Sequence, residues 1–291
     1  SGNINLLKKL LAKGVKPTNQ ALLIAAQGSR GSSVKLEAYQ YLVEEIKIPA
    51  AATNENGENV LHALVRKPNQ EAIIDYFLSK GVDINKADKE GNTAFMNAAG
   101  TRNIALVKSL AARVKNINQT NHKGETALTA AVHNGSPEVV AFLIEKGSNT
   151  AVQTKDGNLG YYLVQSFRQP RPGETGDDFD KKLEILSKAG YNLATPQPNG
   201  NTLYHLAVGK NDLNLIKKLA PFKININAKN AEGLTALHRA ALLAKDDAIL
   251  KYLVSLGADK SIQTDMDETA FDLAKENESL AESKISIDFL K

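Results

Sequence analysis

Gly233-Leu234-Thr235-Ala236-Leu237-His238-Arg239-Ala240-Ala241 reads as a turn followed by a short helix. The glycine bends the chain, and the threonine hydroxyl stands where it can accept orphan amide protons at a helix start. The Ala/Leu run behind it is small enough for a close neighbour. The pattern recurs. A glycine, usually followed by a polar residue and then by Ala- and Leu-rich sequence, stands at Gly57, Gly91, Gly124, Gly157, Gly200 and Gly233, separated by 34, 33, 33, 43 and 33 residues. Asp267 replaces the glycine after a further 34 residues and leads into Glu268-Thr269-Ala270-Phe271-Asp272-Leu273-Ala274. Self-similarity at one fixed period marks a repeat architecture, in which each copy is one supersecondary unit.

Each unit predicts two helices and a turn. Thr93, Thr126, Thr202, Thr235 and Thr269 mark the first helix starts. A second helix follows with i, i+3, i+4 apolar spacing, as in Val139, Val140, Phe142, Leu143 and Ile144. It ends at a glycine suited to the left-handed cap, at Gly81, Gly147, Gly190 and Gly257. An extended turn rich in Asn, Asp and Lys then leads to the next unit. No unit buries its apolar faces alone, so the stack is expected to share one continuous core.

The repeat resembles the ankyrin repeat, whose period is about 33 residues with the signature T-P-L-H-x-A. Thr235-Ala236-Leu237-His238-Arg239-Ala240 is the best copy, with Ala where the family often has Pro. The family's G-A-D-x-N ending is met by Gly81-Val82-Asp83-Ile84-Asn85 and Gly257-Ala258-Asp259. The copy at Gly157 departs, reading Leu159-Gly160-Tyr161-Tyr162, so its first helix is expected to be wider or shifted. The resemblance covers nearly the whole chain. It implies an all-α, ankyrin-type helical repeat solenoid, with helix-turn-helix units joined by extended β-turn fingers.

The expected organisation is one repeat domain over 1–291 with about seven to eight units. A partial unit spans 3–17, further units start near 18, 57, 91, 124, 157, 200 and 233, and a polar cap covers 268–291. The interval from Gly14 to Gln20, the residue aligned with the threonines, is half that elsewhere, so the first finger lacks its projecting part. Two units are longer than the period, through 27–33 and 165–178. Their Gly, Ser and Pro content predicts exposed loops between first and second helices. A helix is expected over Lys181–Ala189, with Asp177, Asp178 and Asp180 feeding its N-terminal turn.

Composition narrows the chemistry. Cysteine is absent, which removes disulfides and thiolate metal sites. No run of about 18 apolar residues spans a membrane, and no signal-peptide pattern follows Ser1-Gly2-Asn3. These residues do not name a compartment. The net charge of +4 on 36 basic and 32 acidic side chains does not demand a nucleic-acid partner. Lys217, Lys218, Lys223 and Lys229 form the densest basic stretch, but other units do not repeat it as a phosphate-tracking stripe would require. The acidic residues near Glu174 lack calcium-loop spacing. No phosphate-loop, serine-hydrolase or zinc-protease motif occurs. No catalytic residue, cofactor or metal is expected.

His62, His205 and His238 invite a metal reading, yet they fill one slot of separate units. The resemblance implies that this histidine is structural, linking its helix start to neighbouring backbone together with residues such as Thr235. It also implies binding through finger tips and the concave side. Carried over, the candidate partner-binding residues are Glu58, Lys89, Glu90, Asn92, His122, Lys123, Glu125, Lys155, Asp156, Asn158, Asn199, Asn201 and Leu234 on the fingers. Arg66, His133, Phe167, Lys210, Leu242 and Leu243 are their counterparts on the helices. Leu234, Leu242 and Leu243 are apolar where solvent is expected, which fits either a binding hot spot or cover by the next unit or cap. The expected function is a monomeric, non-enzymatic scaffold for a partner protein. The alternatives are the recognition or regulatory part of a larger enzyme or effector, and an array mediating self-association.

Overall fold

The computed structural model describes residues 4–28, 34–168 and 178–291. The chain forms two compact units, Ser1–Val152 and Gln153–Lys291. The finger bases close through isolated antiparallel bridges such as Ala87–Thr93 and Gln263–Thr269, and no strand forms among the described residues.

The first unit opens with α1 (Ile4–Ala12) and α2 (Ala21–Gln27), followed by α3 (Leu36–Gln40), which runs into a π turn over Tyr41–Glu45. Three helix pairs follow: α4 (Val60–Leu64) with α5 (Glu71–Ser79), α6 (Ala94–Ala99) with α7 (Ile104–Ala111), and α8 (Ala127–Asn134) with α9 (Pro137–Glu145). The first helices of successive pairs stack on one another. Ala98, Ala99 and Ala131 lie fully buried there, and their small side chains allow close approach of the helix axes. Leu61, Leu64, Phe77, Leu110, Leu128 and Leu143 fill the space beside them. Each such buried Leu contributes about 1.5–3 kcal/mol. Tyr39 meets Phe77 edge to face, with ring centroids 5.5 Å apart.

The second unit repeats the scheme in α10 (Leu159–Ser166) and α11 (Asp178–Lys188), α12 (Leu203–Gly209) and α13 (Leu213–Leu219), α14 (Ala236–Leu243) and α15 (Ala248–Ser255), and α16 (Ala270–Glu276) and α17 (Glu278–Glu282). Its core is Leu159, Leu163, Leu186, Leu215, Ile216 and Leu253 around the small residues Ala207, Ala240 and Ala241.

The caps sit where the sequence requires them. Thr93 and Thr235 accept from the N–H groups of Met96 and His238 at 3.2 and 3.3 Å. Second helices end at left-handed Gly81, Gly147, Gly190 and Gly257. Behind Gly81, the N–H of Val82 reaches back to Phe77 O at 3.1 Å, which satisfies a carbonyl that the helix leaves open.

Three expectations change. The helix placed at Lys181–Ala189 begins at Asp178, because Asp178 and Asp180 form its first turn rather than a loop before it. Gln20 fills the threonine slot but makes no side-chain cap. Phe167, expected on an exposed face, is buried against Phe179, with the two rings 5.3 Å apart. The first helix of the copy at Gly157 is shifted, as expected, because its finger is one residue shorter than the others. Its hairpin closes from Thr154 N to Gly157 O, whereas the others reach the residue after the glycine, as Asp88 N does to Asn92 O. Asn158 therefore becomes the helix cap. Residues 29–33 and 169–177, which hold most of both expected insertions, lie outside the described residues.

Candidate partner-binding surface

Side chains that hold the frame together are largely separate from those that face solvent. In the frame, the histidines bridge consecutive repeats. His238 Nδ1 accepts the Thr235 backbone N–H at 3.1 Å, so the ring proton sits on Nε2 and is donated to Ile262 O at 2.9 Å. His205 does the same between Thr202 N and Leu234 O, and His62 between Asn59 N and Asn92 O. All three rings are buried with both nitrogens engaged, which leaves no lone pair for a metal. Among the described residues, no group of three or more His, Asp or Glu is placed to hold an ion.

Burial, the largest cause, pushes the His205 and His238 pKa values below the ordinary imidazole value of 6.5. A second proton on Nδ1 would also face a backbone N–H. The folded state therefore binds fewer protons than the unfolded state, and stability must rise with pH across this range. The contribution is complete above about pH 6.5 and is lost as pH falls from there through the folded pKa. We expect the urea midpoint to fall between neutral pH and pH 5, and the fall to be smaller in the His205→Gln/His238→Gln variant. Parallel profiles for the two proteins would contradict this.

A second set of frame contacts was not anticipated from the sequence. In most fingers the residue three before the glycine position folds its side chain over its own turn; Gln197 instead reaches back to Asn158. Asn121 Oδ1 accepts from Lys123 N and Glu125 N, both at 2.9 Å. Asn54, Asp88, Asn230 and Thr264 act likewise. Short Asx and hydroxyl side chains at that spacing carry the signal, since these residues mimic backbone turns. Asn85, Asn118 and Asn227 stitch neighbouring repeats, as in Asn118 Nδ2 to Gly147 O at 3.2 Å and Asn149 N to Asn118 Oδ1 at 2.7 Å. The fingers themselves are linked by Lys89 N to Asn56 O at 2.8 Å, His122 N to Glu90 O at 2.9 Å, and Ala231 N to Asn199 O at 2.9 Å.

The candidate residues divide against this frame. Lys89, Glu90, His122 and Lys123 are exposed on two linked tips of the first unit. His133 is exposed on α8 and Arg66 in the turn after α4, with Arg66 donating to Asn97 Oδ1 at 2.8 Å. Lys155, Asp156, Asn199 and Leu242 are exposed in the second unit. The residues directly after the finger glycines turn inward instead. Glu58 and Glu125 accept from Asn54 and Asn121, each at 2.7 Å, and Asn92 Oδ1 accepts from Asn121 at 2.8 Å. Leu234 is half-buried. Asn201 is buried and accepts from Asn230 at 2.8 Å. Asn158 is buried and receives Tyr191 Oη and Gln197 Nε2, both at 2.7 Å. Asn158 and Asn201 therefore serve the frame and leave the candidate binding face. Asn158 stands at the helix cap because that finger is short, whereas Asn201 is buried in a finger of full length.

The basic stretch does not form a stripe. Lys218 pairs with Asp180 at 2.6 Å, Lys229 with Asp265 at 3.7 Å, and Lys217 lies 5.8 Å from the centre of the Tyr252 ring. Among the described residues, no helix is long and apolar enough to cross a membrane.

Helix pairs stacked through small residues, with fingers tied backbone to backbone, define a repeat protein built to present surface. The ankyrin repeat profile matches three times, over residues 1–88, 61–155 and 177–264. The chain belongs to the ankyrin repeat family. It is 28% identical to inversin of Canis lupus familiaris over 172 residues, covering 57% of this chain and 15% of inversin. It is 26% identical to the phosphocholine transferase AnkX of Legionella pneumophila over 203 residues, 61% of this chain and 20% of AnkX. It thus spans a small part of each. The human ASB11 ankyrin repeat domain superposes with TM-score 0.64 at 19% identity, covering 77% of this chain and 97% of that domain. A chain from the complex of the Bdellovibrio bacteriovorus predatory endopeptidase Bd0816 with immunity protein Bd3460 gives TM-score 0.52 at 28% identity, covering 69% of this chain and 100% of that one. Ankyrin repeats are in general protein-interaction modules and typically non-catalytic.

Proposed function

We propose that this chain is a monomeric, non-enzymatic scaffold that binds a partner protein through exposed finger tips and the exposed ends of its first helices. The observation that carries this reading is the division of labour on the fingers. Asn54, Asp88 and Asn121 hold the turns, whereas Lys89, Glu90, His122 and Lys123 face solvent and differ from tip to tip. A uniform frame with a variable surface suits recognition.

The test is the double charge reversal Lys89→Glu/Lys123→Glu, with Lys181→Glu on the exposed side of α11 as the comparison. Exposed charges away from special features shift stability by only about 0.5 kcal/mol, whereas steering and register at an interface respond strongly to them. In affinity capture read by quantitative mass spectrometry, a protein held by the wild type is expected to be lost from the double variant and kept by Lys181→Glu, with melting temperatures unchanged. Equal capture by the double variant would remove these tips from the interface. Loss on Lys181→Glu would move the interface to the second helix of the Gly157 copy.

A second reading, the recognition part of a larger enzyme or effector, draws support from the relatives, since inversin and AnkX are several times longer than the matched segment. The two readings share the same surface and differ in what is attached to it.

A further inference from the structure

The exposed face of α14 carries three adjacent features that the frame does not use. Leu242 and Leu243 are 45% and 46% exposed, although α16 and α17 follow them in the same unit. Among the described residues, neither the next repeat nor the cap covers them fully. Their place is also firmly held, because Asn277 Nδ2 donates to both Ala241 O and Ala244 O, at 2.8 and 2.9 Å, on either side of the pair. The third feature is Arg239, one helical turn earlier on the same face. It is half-buried, its Nε is buried without a hydrogen-bond partner, and it pairs with no carboxylate among the described residues. Gly209 of α12 makes room for it. A Cβ at that position would stand 3.1 Å from a guanidinium nitrogen and 3.5 Å from Nε.

Resting on the protein-binding reading above, we propose that Arg239, Leu242 and Leu243 form a docking site for a partner segment that places a carboxylate beside an aliphatic or aromatic side chain. The guanidinium presents fixed donors that a carboxylate accepts with both oxygens. The leucine pair supplies the apolar contact next to it. A half-buried arginine with aliphatic neighbours on a rigid support has the make-up of an interface hot spot. The flanking positions agree in size and charge. At the end of α12 the residues matching Leu242 and Leu243 are Gly209 and the C-cap Lys210, which leave space and add a positive charge. On α16 the counterpart of Leu242 is Glu276, which bounds the site on its other side. The proposed segment thus lies with its acidic group toward α12.

The probe is a phage-displayed library of random peptides panned on the full 291-residue chain. Enriched peptides are then synthesised and titrated against wild type, Arg239→Gln, Arg239→Lys, Leu242→Ser/Leu243→Ser and the tip variant Lys89→Glu/Lys123→Glu. Enriched sequences are expected to carry Asp or Glu next to Leu, Ile, Met or Phe. Affinity should fall about tenfold or more, 1.4 kcal/mol per factor of ten, in Arg239→Gln and in the leucine double variant. Arg239→Lys should fall between. Replacing the peptide's Asp by Asn should weaken binding to the wild type and leave Arg239→Gln indifferent.

Peptides without acidic residues would overturn the proposal. So would peptides whose affinity is unchanged in the Arg239 and leucine variants but lost in the tip variant, an outcome that leaves the protein-binding reading standing. Dimers in sedimentation that the leucine double variant dissolves would assign the face to a second copy and also overturn it. Failure to enrich any peptide over a heat-unfolded control would count against the proposal and the protein-binding reading together. Melting curves establish that each variant is folded, and the leucine variant, whose side chains are already half in water, carries the test should Arg239→Gln unfold.

Discussion

His238→Ala is expected to lower the free energy of unfolding by about 3 kcal/mol. The substitution strands the Thr235 N–H, which is buried and loses its acceptor at 3.1 Å, and the Ile262 carbonyl, which loses its donor at 2.9 Å. Each unsatisfied group costs about 1–3 kcal/mol, and the ring also leaves a void in a slot that is 1% exposed. The ring joins one helix start to the next repeat, so its removal weakens both a cap and a repeat interface. Urea unfolding measures the loss, and elemental analysis of wild type and variant tests the competing explanation. A stoichiometric metal present in the wild type and missing from the variant would show that the ring is a ligand rather than a bridge.

Gly200→Ala is expected to be comparably damaging, for a different reason. Gly200 has φ +77°, and a Cβ there would meet Ala231 N and Asn230 Cα at 2.9 Å and Asn230 C at 3.1 Å. All three atoms are backbone of the next finger, so none can rotate away. Left-handed geometry alone costs a non-glycine residue about 1–2 kcal/mol. Gly147 isolates that part, with φ +88° and nothing within 4 Å of an added Cβ. Gly147→Ala is therefore expected to cost about 1 kcal/mol and Gly200→Ala about 3 kcal/mol. The second variant should also speed hydrogen exchange at the Ala231 amide, whose bond to Asn199 O lies beside the clash. Equal losses in the two variants would mean that the fingers part without cost.

Most of the helical frame was legible because it rests on local chemistry. Thr93, Thr126 and Thr235 cap helices for reasons contained in their own hydroxyls, and Gly81 and Gly257 end helices because they lack a Cβ. The turn-holding role of Asn54, Asp88 and Asn121 is equally local, but the glycine three residues later is the more conspicuous turn signal. Asn158 stands at a helix cap because its finger is short, whereas sequence counting assumes fingers of constant length. Phe167 and Leu242 were hard for another reason. Burial at a repeat surface depends on what the neighbour presents. Phe179 comes to cover the first, whereas Gly209 and Asn277 stand where a cover for the second would be. The proposed binding surface is thus the least legible part. Its residues are those that local rules leave free.

The short finger at Gly157 carries a consequence for how such a chain changes over time. Its hairpin closes one residue early, yet α10 still begins from a side-chain cap, because Asn158 Oδ1 takes the Gly160 N–H at 2.9 Å. Helix starts are set by whichever residue reaches the cap, not by counting from the previous repeat. A deletion at a tip is thereby absorbed inside its own loop. This separation makes the fingers grafting points: loops of other lengths can be exchanged there, by evolution or at the bench, while the helices that carry them keep their places.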